Sequence, residues 1–272
     1  MSAAWQLLKG QKQLLLLPIA SSVCLLILAG AWAIPAILAV FADASWRDAA
    51  RQSESLSSVS AFLFYVVTYG IGSFFNAALA ICVLRKLAGK PVSIVEGLRE
   101  AATLLPQILG WALLSATVGM LLRTIERRSG FIAGAVTSML GFAWTVVTFL
   151  AVPVLVAERK WPFDAVRESA QLLRRTWGED LLAGMGFGAL YVMWSIPGMI
   201  FVLGASMLAS HLISAIGIMV LAILYFPVLG LVLSTLSTIF DVVLYRYAKF
   251  GTITSGFDRD LLESSFVHKA AQ

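Results

Sequence analysis

The stretch WPFDAVRESAQLLRRTWG, Trp161 to Gly178, decides how this chain is read. Phe163, Val166, Ala170, Leu173 and Trp177 recur at spacings of three and four, which puts them on one helical face. Asp164, Arg167, Glu168, Gln171 and Arg174 fall on the other side. Pro162 suits a first helical turn, where its missing N–H would be unpaired anyway. Asp164 in that turn complements the positive end of the helix dipole, and Gly178 is placed to end the helix. Apolar runs too long for a soluble domain stand on both sides. A charged, amphipathic helix in that position reads as an interfacial helix lying on a bilayer, its apolar stripe inward. The plainer alternative is a stripe that packs on protein and never meets lipid.

The flanking runs fix the class. Hydrophobic residues make up 60% of the 272 residues and charged ones 13%, with a mean hydropathy of +0.88. A bilayer core takes about 20 consecutive apolar residues per helix. Six stretches meet that need: 14–41, 57–84, 105–122, 131–157, 181–206 and 212–245. None alternates apolar and polar residues as a transmembrane strand would. The expectation is an all-α, polytopic transmembrane helical bundle of six spans over residues 1–249, followed by a cytoplasmic tail at 250–272. Lys9 and Lys12 before an apolar run, with AGAWA at 29–33, also resemble a signal peptide. The run continues to Phe41, a length that suits a first membrane helix better.

The basic balance follows this topology. Threading six spans from a cytoplasmic N-terminus leaves Arg47, Arg51, Arg123, Arg127 and Arg128 outside and the other 15 of the 20 Lys and Arg inside. That split is a positive-inside bias. It implies contact with anionic lipid at the cytoplasmic leaflet and argues against nucleic acid as a partner. Both termini are expected on the cytoplasmic side.

Catalytic and metal signatures are missing from the sequence. Cys24 and Cys82 lie within expected spans and read as small packing residues. With His211 and His268 the only histidines, no ligand cluster is spelled out, nor a phosphate-cradling glycine loop or nucleophile elbow. The expectation is a non-enzyme with no cofactor and no metal.

The opening stretch has a counterpart upstream, KPVSIVEGLREAATLLPQ at 90–107. Matching Pro91 to Pro162 gives a stripe of Val92, Val95, Leu98, Ala102 and Leu105, and Ser93 with Glu96 has capping-box spacing. A weaker copy is AWQLLKGQKQLLLLP at 4–18, whose QLLK echoes QLLR at 171–174. Each copy precedes a pair of spans. Three repeats are therefore expected, 1–84, 85–157 and 158–249, each an amphipathic helix followed by a transmembrane hairpin.

The runs VPVLVAERKWPFDAVRESAQLLRRTWGEDL, ILGWALLSATVGMLLRTIERR and LYRYAKFG with FDRDLLESSF together resemble an uncharacterised bacterial six-span membrane family, classed only as a domain of unknown function. More distantly, the central pattern resembles membrane domains that accompany some glycerophosphodiester phosphodiesterases. Those enzymes hold their catalytic residues on a separate domain, and nothing like it stands in this sequence. The resemblance implies an inner-membrane bundle and transfers no activity and no site residue.

Two sets of candidate residues follow. Arg167, Arg174 and Arg175 with Trp177 form a candidate lipid-binding surface on the interfacial helix. Ser234, Thr238 and Asp241 on the last span, with Asn76 on the second, form a candidate polar pathway, because ionisable and polar groups inside a membrane are expensive. The bland alternative pairs Asp241 with Arg246 at the interface. Gly130, Gly134, Ser138 and Gly141, together with Gly184 and Gly188, are expected to form close helix seams. The function these features favour is a non-catalytic membrane protein that organises or binds lipid or a partner through basic interfacial helices. The alternative is an oligomeric channel or transporter-type protein for a small solute or ion.

Overall fold

A computed structural model describes residues 12–41, 54–128, 131–176, 186–207 and 212–251. A short 3-10 turn, Lys12–Leu15, leads into α1 (Leu16–Phe41), α2 (Glu54–Leu87), α3 (Ile94–Thr103) and α4 (Leu105–Arg128). Then follow α5 (Phe131–Val147), α6 (Ala151–Glu158), α7 (Pro162–Thr176), α8 (Gly186–Met207) and α9 (Leu212–Phe250). Among the described residues every regular element is a helix. Among the described residues five segments are long and apolar enough to cross a membrane: Gln13–Ile34, Val59–Leu87, Leu105–Glu126, Val136–Glu158 and Ile216–Phe250. Within the run expected at 181–206 the described residues form α8, whose apolar part is Val192–Gly204; residues 181–185 lie outside the described residues. The chain is an all-α, polytopic membrane protein.

The run at 131–157 is not one helix. It breaks at Thr148–Leu150 and restarts as α6. Pro153 explains the restart: having no N–H, it would leave the Phe149 carbonyl unpaired in a continuous helix. In the first turn of a new helix that missing donor costs nothing. The break frees the Leu150 N–H, which donates to Ser169 Oγ on α7 at 3.1 Å. Ser169 is fully buried, so α7 is stitched to the span at its weakest point.

The described chain forms two compact units, residues 16–171 and residues 1–15 with 172–272. In the first, α2 packs against α1, α3, α4 and α6, and α5 packs on α4. Its stretch Ala77–Val83 is buried all round. Small residues allow the close approaches. A Cβ on Gly97 of α3 would overlap Cys82 Sγ and lie 3.2 Å from the Ala78 carbonyl oxygen of α2. A Cβ on Gly119 of α4 would lie 2.9 Å from the Tyr65 hydroxyl. The seam expected at Gly134 and Gly141 is not used this way: nothing lies within 4 Å of a Cβ on Gly134, and only Leu122, at 3.9 Å, meets one on Gly141. Ser138 spends its hydroxyl on the Gly134 carbonyl at 2.9 Å. Spacing by four shows which small residues share a face, but not whether another helix arrives there. Gly130 and Gly184, and the surroundings of Gly188, lie outside what the structure describes.

In the second unit α8 packs along α9, and the 3-10 turn also rests on α9. The closest approach is at Gly198, where a Cβ would lie 2.6 Å from Phe226 and 2.9 Å from Tyr225. Pro197 beside it deprives the carbonyl one turn back of its donor, and the Tyr225 hydroxyl donates to the neighbouring Trp194 carbonyl at 2.5 Å. A side chain from the partner helix thereby supplies polarity where lipid would not.

Candidate functional site

The two amphipathic helices stand where the sequence places them. Ser93 caps α3 from an extended conformation and accepts from the Glu96 N–H at 3.4 Å. Glu96 does not reach back to complete a capping box, because its carboxylate is taken by Arg85 of α2. Pro162 is the first residue of α7, with Asp164 in the first turn. Its ring sits on α4, 3.1 Å from where a Cβ on Gly110 would stand.

Which faces are buried is a correction. On α7 the packed stripe is Pro162, Ala165, Ser169 and Leu172, with Leu173 beside it. Phe163, expected to point inward, is 75% exposed, and Arg167, Gln171 and Arg174, at successive turns below it, are exposed as well. On α3 the packed residues are Gly97, Ala101 and Leu104, while Val95 is 74% exposed and Arg99 and Ala102 are exposed with it. Hydrophobicity sent the expected stripes through Phe163 and Val95. Close packing selects small residues, Ala165 and Ser169 or Gly97 and Ala101, which let the helix lie flat on the spans.

This burial pattern reveals a register that matching Pro91 to Pro162 hides. Aligned by their first helical residues, Val95-Glu-Gly-Leu-Arg-Glu-Ala-Ala-Thr-Leu-Leu105 runs beside Phe163-Asp-Ala-Val-Arg-Glu-Ser-Ala-Gln-Leu-Leu173. The proline match is three residues out. Gly97 and Ala165, Ala101 and Ser169, and Leu104 and Leu172 are buried at equivalent places. Arg99 and Arg167 are both exposed, and Glu100 and Glu168 both enter ion pairs. Trp5 to Leu15 fits the same register in sequence, with Lys9 in the arginine position and Leu14 in the buried leucine position. Leu14 is indeed buried; residues 1–11 lie outside the described residues. The expected lipid-binding set leaves out Arg99, Glu100 and Glu168; the Arg-Glu pair shared by the two helices is the sequence signal for them.

The glutamates tie both helices to one linker. Glu100 lies 3.7 Å from Arg85 at the end of α2 and 3.8 Å from Arg159 between α6 and α7. Lys160, the next residue, bonds Glu158 at 2.8 Å and Glu168 at 3.2 Å. The Glu158 bond raises the Lys160 pKa above its ordinary value, so this ammonium stays charged. Arg159 sits in the left-handed region, φ 52°, which turns the chain so that these neighbours point to different helices. Three cations here, Arg85, Arg159 and Lys160, meet four carboxylates, Glu96, Glu100, Glu158 and Glu168, a net of 3 − 4 = −1. Partly exposed pairs of this kind contribute about 0–1 kcal/mol each, so their effect is positional. They also leave Arg85, Arg159 and Lys160 with their charges locally neutralised. Those left exposed around them are Lys86, Lys90, Arg99, Arg167, Arg174 and Arg175, with no ion-pair partner among the described residues. Trp177, placed by sequence in the same surface, lies outside the described residues; Trp161, at the other end of α7, is 58% exposed.

The candidate polar pathway divides between the two units. Ser234, Thr238 and Asp241 share a stripe of α9 in the second unit, and Asn76, an exposed residue with a partner of its own, is on α2 in the first. Thr238 donates to the Ser234 carbonyl at 3.0 Å and Thr235 to the Leu231 carbonyl at 2.7 Å, so two hydroxyls are bonded within their own helix. Asp241 Oδ1 is buried with no partner among the described residues. The open groove between α4 and α5 is lined by Val118, Leu121, Leu122, Leu140, Ala143, Trp144 and Val147, of which only Trp144 carries a polar side-chain group. Cys24 and Cys82 are free thiols. Among the described residues no three His, Cys, Asp or Glu side chains gather as metal ligands.

No curated protein and no solved structure matches this chain. A family model does: residues 56–257, from the start of α2 to beyond the end of α9, match the Family of unknown function (DUF6159), and the chain belongs to that family.

Proposed function

We propose that this protein is a non-catalytic component of the bacterial inner membrane that holds anionic lipid at the cytoplasmic leaflet through its amphipathic helices. The observation that carries the reading is the exposed surface of α7, where Trp161 and Phe163 at its start are followed by Arg167 and Arg174 on one face, with Arg175 exposed beside them. An aromatic group seeks the interfacial zone, and a guanidinium forks onto a phosphate. Three repeated units, 1–84, 85–157 and 158–249, would present such a helix three times on one leaflet. The test is retention of phosphatidylglycerol by protein in which Arg167, Arg174 and Arg175 are replaced by Gln. A clear fall with the fold intact is expected, and unchanged retention overturns the reading.

A second reading, an oligomeric channel or transporter, is favoured by one observation, the buried unpartnered Oδ1 of Asp241. It predicts that Asp241→Asn abolishes solute flux into liposomes. The lipid reading predicts flux no greater than in protein-free liposomes for wild type and Asp241→Asn alike, with phosphatidylglycerol retention unchanged.

The orientation is tested separately. With both termini cytoplasmic, Ser53→Cys in a background of Cys24→Ala and Cys82→Ala should label with an impermeant maleimide from the periplasm. Thr103→Cys should label only after the cells are opened. Thr103 is exposed on α3, whereas Ser169 on α7 is buried and bonded to Leu150 and would report nothing. Labelling of Thr103→Cys in intact cells reverses the topology.

A further inference from the structure

The lipid reading rests on α7, but the structure repeats the same device on α3. Val95 and Arg99 stand one turn apart on its exposed face, as Phe163 and Arg167 do on α7. Behind each arginine the next residue, Glu100 or Glu168, is ion-paired, and each reaches a member of the Arg159–Lys160 linker. Two residues beyond each arginine a small side chain, Ala101 or Ser169, is fully buried against the spans. Each helix is thus fixed in rotation by its packed small residues and fixed at the linker by its glutamate, which leaves its arginine facing out. A merely solvated helix face would not need matched positions for the outward apolar group, the outward arginine and the tethered glutamate.

We propose that α3 carries a second site for the phosphate of an anionic phospholipid headgroup, with Arg99 as its ligand and Val95 as its apolar contact. Through Glu100 it adjoins the Arg159–Lys160 linker, which Glu168 of α7 also reaches. Glu100 and Glu168 are positioning residues: they neutralise the linker cations, so that the outward charge belongs to Arg99 and Arg167. The occupant is lipid, because an exposed aliphatic group one turn from the cation matches an acyl-glycerol boundary and gives a free anion nothing. The proposal rests on the lipid reading of α7 but can fail alone.

The experiment uses the full chain, equilibrated with vesicles of mixed phosphatidylglycerol and phosphatidylcholine, purified in detergent and weighed with its bound lipid by native mass spectrometry. At about 1 kcal/mol per basic residue near an anionic surface, Arg99→Gln should weaken phosphatidylglycerol binding roughly fivefold, and Arg167→Gln similarly. Arg99→Lys should stay near wild type. Thr103→Arg, a cation one turn further along the same exposed face, should restore binding to Arg99→Gln, a gain that misfolding cannot imitate. If Arg167→Gln falls while Arg99→Gln does not, the α3 site is overturned and the α7 reading survives. If neither falls, both are overturned. Equal loss of phosphatidylcholine, or displacement of the lipid by excess inorganic phosphate, overturns the headgroup assignment.

Discussion

Gly97→Leu should detach α3 from the spans. Gly97 faces α2 so closely that even a Cβ would overlap Cys82 Sγ and sit 3.2 Å from the Ala78 backbone oxygen. Neither neighbour has room to retreat, since Ala78 and Cys82 are both fully buried. Overpacking a close contact costs about 1–3 kcal/mol, more where backbone must move. Ala for Gly in a helix instead favours the variant by about 1 kcal/mol. Gly97→Ala therefore decides between the two effects: net destabilisation means the clash wins. Gly97→Leu adds a side chain with nowhere to go and should lower the melting temperature markedly while releasing the Arg85–Glu96 pair. Trimming the neighbour with Cys82→Ala should recover part of the Gly97→Ala loss, a coupling expected only of groups in contact. A Gly97→Ala protein that melts higher than wild type, with no coupling to Cys82→Ala, would mean that α3 does not pack this closely.

That contact marks the boundary of what the sequence made legible. The existence and type of the elements followed from apolar run length and helical period, and the start of α7 at Pro162 and the cap at Ser93 followed from local chemistry. Faces did not follow, because hydrophobicity ranks Phe163 and Val95 as core while a membrane offers such groups a second apolar solvent. In water, exposure of Phe163 would carry a penalty of a few kcal/mol; at a bilayer surface that penalty vanishes, and the packed face goes to the residues small enough to allow approach. The break at Thr148–Leu150 was written in Pro153, yet a proline inside a span reads equally as a kink. What turns it into a break is Ser169, 19 residues away, whose hydroxyl takes the freed N–H.

The candidate site was legible by half. Arg167, Arg174 and Arg175 were found because they are basic and beside an apolar stripe, and they stand exposed. Arg99 drops out of the expected set because matching Pro91 to Pro162 misaligns the copies by one short turn. The charge count was misleading too: Arg85, Arg159 and Lys160 contribute to a positive-inside tally but are neutralised locally by glutamates close in sequence or in space. Topology responds to every cation in a loop, whereas lipid responds to those left without a partner.

Replacing Arg167, Arg174 and Arg175 by Gln should cost the protein most of its anionic lipid. At about 1 kcal/mol for each cation near the surface, three give about 3 kcal/mol, or roughly 100-fold weaker binding of phosphatidylglycerol. All three are exposed and outside the ion-pair cluster, so the variant should keep its helical content and melting temperature. Salt separates this contribution from the aromatic one. Exposed charges are screened over about 8 Å at physiological ionic strength, so the difference between wild type and triple variant should shrink as salt rises. Phe163→Ala removes an apolar contact instead, and its smaller loss should persist in high salt. A triple variant that retains phosphatidylglycerol as well as wild type would leave α7 a helix merely packed on the protein. If Asp241→Asn then abolished solute flux, the buried oxygen on α9 and not the arginines of α7 would hold the function.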